Sequence, residues 1–463
     1  MIALYYAGML GIFAVALHRV WTTRIPLSRA PLAAGTDLPT VTLQIPVYNE
    51  RGVVERILGS IERLRYPLDR LQIQILDDST DETSLIVARS SARLTSLGFR
   101  IDHVRRHRRE GFKAGALHAG LIRAKGQFVA IFDADFLIPE DFFERTLPHF
   151  GDPTVACVQA RWTFLNENEN LLTRLQGVLL HAHFQVEQIS RSARGLFIHF
   201  NGTAGIWRKS ALLDAGSFTD QSLTEDLDVS YRAQLRGWKI RYLPDVTAQS
   251  ELPASFMDFK RQQARWATGS IQSLRNLTLP ILASKLSWRT KLEAILHLSR
   301  HATYLFTFFV LVSMPWVVSQ RPRGDSSNAF DALVFAASFF MVLYYFSRAP
   351  ENRARGVRGA LRGSAASLVG VALAPSMLLA ILRGAWPGKP EFVRTPKGRS
   401  YRTRFAMSDG WDGFIAVYFW MCVSKLFLSE FWISKPMLGL TGALVALPFL
   451  LSVSKVKTAK GTP

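Results

Sequence analysis

Cysteine is scarce in this 463-residue sequence: Cys157 and Cys422 are the only two, far apart and in unlike surroundings. Two cysteines in such different settings make no disulfide framework and show no metal-thiolate spacing. Acid is short too, with 36 Asp and Glu against 56 Lys and Arg, a formal charge of +20. A surplus of that size raises the question of nucleic acid. The basic residues sit largely beside apolar runs, however, where the positive flanks of membrane helices account for them, and nucleic acid is set aside as a partner. His181, His183 and His199 lack any His-Glu-x-x-His register and read as packing or surface residues. No positive charge precedes the apolar run 2–20, while Arg19 and Arg24 close it. A cleavable signal peptide carries its charge first, so the run reads as a retained membrane anchor with a cytoplasmic continuation.

Long apolar runs are also missing between that anchor and Leu292, and here the pattern alternates instead. Val41-Thr42-Leu43-Gln44-Ile45 reads as a strand stopped by Pro46-Val47-Tyr48-Asn49-Glu50, after which Val53, Ile57, Leu58, Ile61 and Leu64 recur at helical spacing. A second strand, Ile73-Gln74-Ile75-Leu76, ends in Asp77-Asp78; a helix over 85–97 and a strand over 99–104 follow. This β-α-β-α order predicts an α/β fold with a mostly parallel sheet, helices on both faces, and ligands at the carboxyl ends of the strands.

Both acidic clusters fall at such ends. Phe128-Val129-Ala130-Ile131-Phe132 runs straight into Asp133-Ala134-Asp135, and strand alternation would put the two carboxylates on one side, within reach of a hard cation such as Mg2+ or Mn2+. Lys113 sits among small residues at an expected helix start, which suits a diphosphate; a solvated basic loop has the same composition. Leu223-Thr224-Glu225-Asp226 reads as a helix start with Thr224 as cap and acids in the first turn, a pattern that capping alone also explains. Gln262, Arg265 and Trp266, at i, i+3 and i+4, share one helix face. A planar cation beside an indole there suits a diphosphate next to a sugar ring, as it also suits an amphipathic interfacial helix.

The sequence Pro46-Val-Tyr-Asn-Glu50, Asp77-Asp78, Lys113-Ala-Gly115, Asp133-Ala-Asp135, Thr224-Glu225-Asp226 and Gln262-Gln-Ala-Arg265-Trp266 resembles membrane-embedded family 2 glycosyltransferases, the cellulose-synthase-like enzymes. Cys157-Val-Gln-Ala-Arg-Trp162, Phe200-Asn-Gly-Thr-Ala-Gly-Ile-Trp-Arg208 and Glu251-Leu-Pro253 resemble the mannan and glucan synthase branch. The resemblance implies a GT-A-type catalytic domain and an inverting, metal-dependent transfer of a hexose from a nucleotide-sugar, UDP-glucose or GDP-mannose, onto a growing β-glycan. The alternative acceptor is a lipid, giving a glycolipid. By the same resemblance Asp133 and Asp135 hold the metal on the diphosphate, and Tyr48, Glu50 and Asp78 surround the nucleoside. Lys113 and Arg265 add charge near the phosphates, while Asp77 is either a donor contact or a strand-end packing residue. Asp226 is the base for the acceptor hydroxyl; Glu225, Gln262, Trp266, Trp162 and Thr203 face the acceptor.

The expected organisation is an anchor over 1–24, a cytoplasmic catalytic domain over 38–275, and a multi-pass α-helical transmembrane region over 276–463, in the plasma or inner membrane and in contact with its lipids. Spans are expected at 2–20, 295–318, 330–346, 414–428 and 438–453. Residues 365–382, rich in Ala, Gly and Ser with Pro375 inside, are expected not to cross, because crossing would put the basic stretch 383–404 outside. Within that stretch Phe392-Val393-Arg394-Thr395-Pro396-Lys397 is similar to the family's gating loop, with an extra Arg in it. The sequons at Asn201 and Asn276 would be cytoplasmic and unmodified.

Overall fold

The computed structural model describes residues 1–22, 38–320, 327–352 and 357–388 of the chain. Cys422, most of the stretch between anchor and catalytic domain, the gating-loop-like segment with Thr395 and the two expected spans 414–428 and 438–453 lie outside the described residues.

Seven strands make one sheet: β1 Val41–Val47, β2 Leu71–Asp77, β3 Arg100–Arg105, β4 Phe128–Ile131, β5 Val155–Phe164, β6 Gly205–Arg208 and β7 Lys239–Ser250, in the order β3-β2-β1-β4-β6-β5-β7. The β1/β2, β2/β3, β1/β4 and β5/β7 pairs are parallel, and β6 runs antiparallel to β4 and β5. This is the GT-A-like arrangement expected, with the helices Val54–Ile61, Thr83–Ser96 and Phe112–Arg123 as crossovers.

The composition of β1 explains its register. Val41, Leu43, Ile45 and Val47 enter one apolar core, while Thr42 and Gln44 point to the other face and stay fully buried. Each makes a bond across to β2: Thr42 Oγ1 donates to Gln72 Oε1 at 2.8 Å and Gln44 Nε2 to Gln74 Oε1 at 2.9 Å. A one-residue slip would bury amides against hydrocarbon, so the ladder fixes how β1 meets β2.

Two expectations are corrected here. β4 ends at Ile131, and Asp133 and Asp135 sit in the turn beyond it, where Phe136 N donates to Asp133 O at 3.0 Å. The turn, rather than strand alternation, brings the pair together. Thr224 is the residue before the helix Glu225–Leu235 but its side chain makes no cap; its hydroxyl pairs with Ser222 Oγ at 3.0 Å.

In the apolar part, Ile2–Trp21, Ala329–Ser347 and Leu361–Ala385 are long and apolar enough to cross a membrane. The expected single span 295–318 is instead two helices, Trp288–Leu298 and Ala302–Ser319, bent by 61°. Residues 365–382 fall inside one helix, Val357–Ala385, unbroken at Pro375.

Candidate active site

The turns after β1, β2 and β4 and the long helix Phe256–Ala283 converge on two adjoining recesses. The first, about 750 Å3, is bordered by Tyr48, Glu50, Asp78, Asp133 and Asp135; the second, about 640 Å3, by Trp162, Glu225, Asp226 and Trp266. Lys113, Asp133, Gln262 and Arg265 border both. Residues spread over more than 200 positions of sequence thus meet around one space.

Local chemistry sets the walls. Asn49 takes a left-handed turn (φ +53°), a conformation that asparagine tolerates, and its amide carbonyl accepts from Thr80 N at 2.8 Å while its own N–H reaches Ser79 Oγ at 3.0 Å. The turns carrying Tyr48 and Asp78 are thereby laced together. At the second recess Gly202 has φ +82°, and a Cβ there would lie 3.0 Å from Asp226 Oδ2 and 3.5 Å from Lys113 Nζ. Only glycine lets the backbone approach the carboxylate so closely.

Charge is concentrated between the recesses. Lys113 Nζ lies 2.5 Å from Asp133 Oδ1 and 3.8 Å from Glu225 Oε1, and donates to Gly202 O at 2.8 Å. Burial pulls this ammonium down, but Asp133 and Glu225, with Asp226 behind them, hold it above its ordinary value. Burial, reinforced by Glu225, pushes the Asp226 carboxyl up to about 7 against the opposing pull of Lys113, the Leu227 amide and Arg265. A carboxylate so placed is suited to accept a proton near neutral pH.

Among the described residues no three His, Cys, Asp or Glu side chains converge as a ready metal cage. Asp133 and Asp135 nevertheless offer two hard carboxylates to one recess, and Mg2+ or Mn2+ is characteristically held by one or two carboxylates together with substrate phosphates. The donor set therefore fits such a cation once a diphosphate supplies the remaining oxygens.

Two expected site residues do not reach the recesses. Asp77 is fully buried beneath the end of β2, where its carboxylate accepts from Ser79 N at 2.9 Å and Ser84 Oγ at 2.8 Å and meets His103 Nε2 at 2.9 Å. Burial pushes it up, but these bonds outweigh burial and bring it down to about 2. Thr203, 1% exposed, turns inward and its hydroxyl accepts from Asp133 N at 2.9 Å, so it orients the Asp133 turn from behind. The indole of Trp162 packs edge-on to Phe136 at 5.3 Å and forms part of the second recess wall.

Other contributors were hidden in the basic run 105–109. Arg106 grips Asp78 through Nε at 2.9 Å and Nη2 at 2.5 Å, and the Arg109 guanidinium lies 3.5 Å from the Tyr48 ring centroid. Nothing in the spacing of that run separates these two arginines from their exposed neighbours. Glu251, Leu252 and Pro253, visible in sequence only as a motif, line the second recess.

The Glycosyl transferase family 2 profile matches residues 42–213, and that of Glycosyl transferase family group 2 matches 128–320. A probable glucomannan 4-beta-mannosyltransferase 11 of Arabidopsis thaliana is 38% identical over 331 residues, covering 67% of this chain and 74% of that protein. Glucomannan 4-beta-mannosyltransferase 2 of the same plant is 45% identical over 255 residues, covering 54% of this chain and 48% of that one. The chain thus spans about half the length of some curated relatives it matches. In fold it is similar to the mannosyltransferase PcManGT from Pyrobaculum calidifontis, solved in complex with GDP-Man and Mn2+, with a TM-score of 0.60, 21% identity, and coverage of 82% of this chain and 98% of that one. With this likeness and the convergence of its motifs on one cleft, the chain belongs to glycosyl transferase family 2, in the cellulose-synthase-like mannan synthase branch, and is a glycosyltransferase.

Proposed function

We propose that this chain transfers mannose, from GDP-mannose in preference to UDP-glucose, onto a growing β-linked glycan with inversion at the sugar carbon. The observation that carries the proposal is Asp226, a carboxyl pushed up to about 7 in the recess next to Asp133 and Asp135. In the reaction an acceptor hydroxyl oxygen forms a bond to C1 of the donor sugar, the bond from C1 to the diphosphate oxygen breaks, and the hydroxyl proton passes to Asp226. Arg265, which borders both recesses, balances charge on the departing nucleoside diphosphate, and Trp266 and Trp162 give the acceptor sugar flat apolar walls that exclude water. A divalent cation held by Asp133 and Asp135 would neutralise the leaving diphosphate. The donor preference is supported by the relatives, which are named as mannosyltransferases, and by the fold neighbour's GDP-Man.

The same reading divides the chain into an anchor over 1–24, a catalytic domain over 38–275 on the cytoplasmic face and a membrane region over 276–463. Membranes containing the chain, given labelled GDP-mannose and labelled UDP-glucose in separate incubations, should build labelled polymer from GDP-mannose and little or none from UDP-glucose; polymer from UDP-glucose alone would reverse the donor preference. A single-sugar lipid would replace the glycan acceptor by a lipid one, and no labelled product with any donor would end the proposal.

A further inference from the structure

Behind the second recess lies a partly buried polar cluster that the reaction as described does not use. After Leu171–Ala182 the helix widens into a single π-helical turn, His183–Glu187, before continuing as Gln188–Ala193. Such turns cost regular hydrogen bonding and recur at functional sites. This one aims Glu187 at two imidazoles: His183 Nδ1 at 3.0 Å from Oε2, and His297 Nε2 at 3.5 Å from Oε1.

Each imidazole reaches a different wall of the recess. His183 Nε2 lies 3.3 Å from Asn201 Oδ1, in the loop whose Gly202 presses on Asp226. His297 Nδ1 lies 2.6 Å from the hydroxyl of Tyr231, on the helix that carries Asp226. The Tyr231 hydroxyl also donates to Ala294 O at 3.2 Å, so His297 and the backbone beside it together hold the helix that carries Asp226. Burial pushes Glu187 up, but His183, His297 and Arg300 hold it well below the usual carboxylate range, so it stays an anion, hydrogen-bonded to His183 and facing His297.

We propose that Glu187 is a positioning residue for transfer: one half-buried carboxylate holds, through His183 and His297, both the loop 200–203 and the helix Glu225–Leu235, and so sets the gap between Asn201–Gly202 and Asp226. The inference rests on the reading of Asp226 as the base. Chemistry separates it from a packing role. Glutamine matches the volume of Glu187 but accepts at one end only and presents N–H to an N–H at the other, whereas aspartate is smaller and keeps both acceptor oxygens.

The test uses the full chain in detergent with Glu187→Gln, Glu187→Asp, His183→Gln and Tyr231→Phe. Glu187→Gln should lower kcat by about 10- to 100-fold, the scale of a displacement of about 1 Å, with the donor KM within about threefold. Glu187→Asp should retain more kcat than Glu187→Gln, although glutamine is the closer isostere. Amide hydrogen exchange reads the two arms apart: His183→Gln should speed exchange in 198–204 alone, Tyr231→Phe in 225–231 alone and Glu187→Gln in both, with β1, β2 and β4 unchanged. Equal kcat in all variants, a larger loss for aspartate than for glutamine, or exchange rising through the whole sheet would each overturn the inference. If the wild-type chain turned over no donor, the transferase proposal would fail, and the exchange pattern would still decide whether Glu187 couples the two walls.

Discussion

At the scale of single residues, the site depends on Asp226 being poor at holding charge where it sits. Replacing it by Asn should abolish transfer while leaving binding of the nucleotide-sugar within a few fold, read by titration calorimetry, because the base acts on the acceptor; lost donor binding would assign Asp226 elsewhere. Wild-type kcat/KM should rise with pH along an acid limb centred near 7, where the carboxyl loses its proton. The sign for stability is opposite. Raised from 3.8 to about 7 by folding, Asp226 favours the folded state below pH 4 and that contribution is lost as pH climbs through about 7. Asp226→Asn should therefore be more stable than wild type at pH 8, by at most about 4 kcal/mol at 1.36 kcal/mol per unit, and no more stable at pH 4; denaturant melts at the two pH values check it. Asp135→Ala should remove metal-dependent donor binding, and full wild-type activity in excess chelator would remove the cation from the account.

At the scale of elements, the paired glutamines between β1 and β2 make a separate prediction. Gln44→Leu leaves Gln74 Oε1 buried with its donor gone and should cost roughly 1–3 kcal/mol in a denaturant melt, while the double change with Gln74→Leu should recover most of the loss. The alternation of Val41 through Ile45 was enough to place these residues in a strand, and the repeated strand-to-acid pattern was enough to place Asp78, Asp133 and Asp135 near one another. Where the readings departed, the cause was direction rather than existence. Asp77 and Asp78 are neighbours in sequence with opposite fates, because the side chain that turns under the strand end finds Ser79, Ser84 and His103, and the other finds Arg106. Thr203 faces inward for the same reason, drawn by the Asp133 amide. The 61° bend after Leu298 falls on Ser299-Arg300-His301, a polar break that reading 295–318 as one span passed over.

For the whole molecule, the helix Val357–Ala385 bears on how the chain meets the bilayer. Just ahead of it Glu351 is paired with Arg161 Nη1 at 2.7 Å and Asn352 Nδ2 donates to Val178 O at 2.9 Å; at its far end Arg275 Nη1 donates to Trp386 O at 2.7 Å. Both flanks are thus tied to the catalytic body, and Thr268 Oγ1 donates to Ala380 O at 3.0 Å between them. The helix is long and apolar enough to cross; we propose that this attachment keeps both of its ends on one side, in line with the non-crossing segment expected from the sequence. In sealed vesicles, and in a background with Cys422→Ser, cysteines introduced at Ser347 and Trp386 should both react with an impermeant thiol reagent from the catalytic face. Labelling from opposite faces would make the helix a span.

A beam pinned at both ends to the catalytic body shifts only when that body shifts. Thinning or crowding of the surrounding lipid would then be felt at Thr268, two positions beyond Trp266, without passing through any loop. Turnover in bilayers of graded thickness would track the lipid rather than the sugar supply.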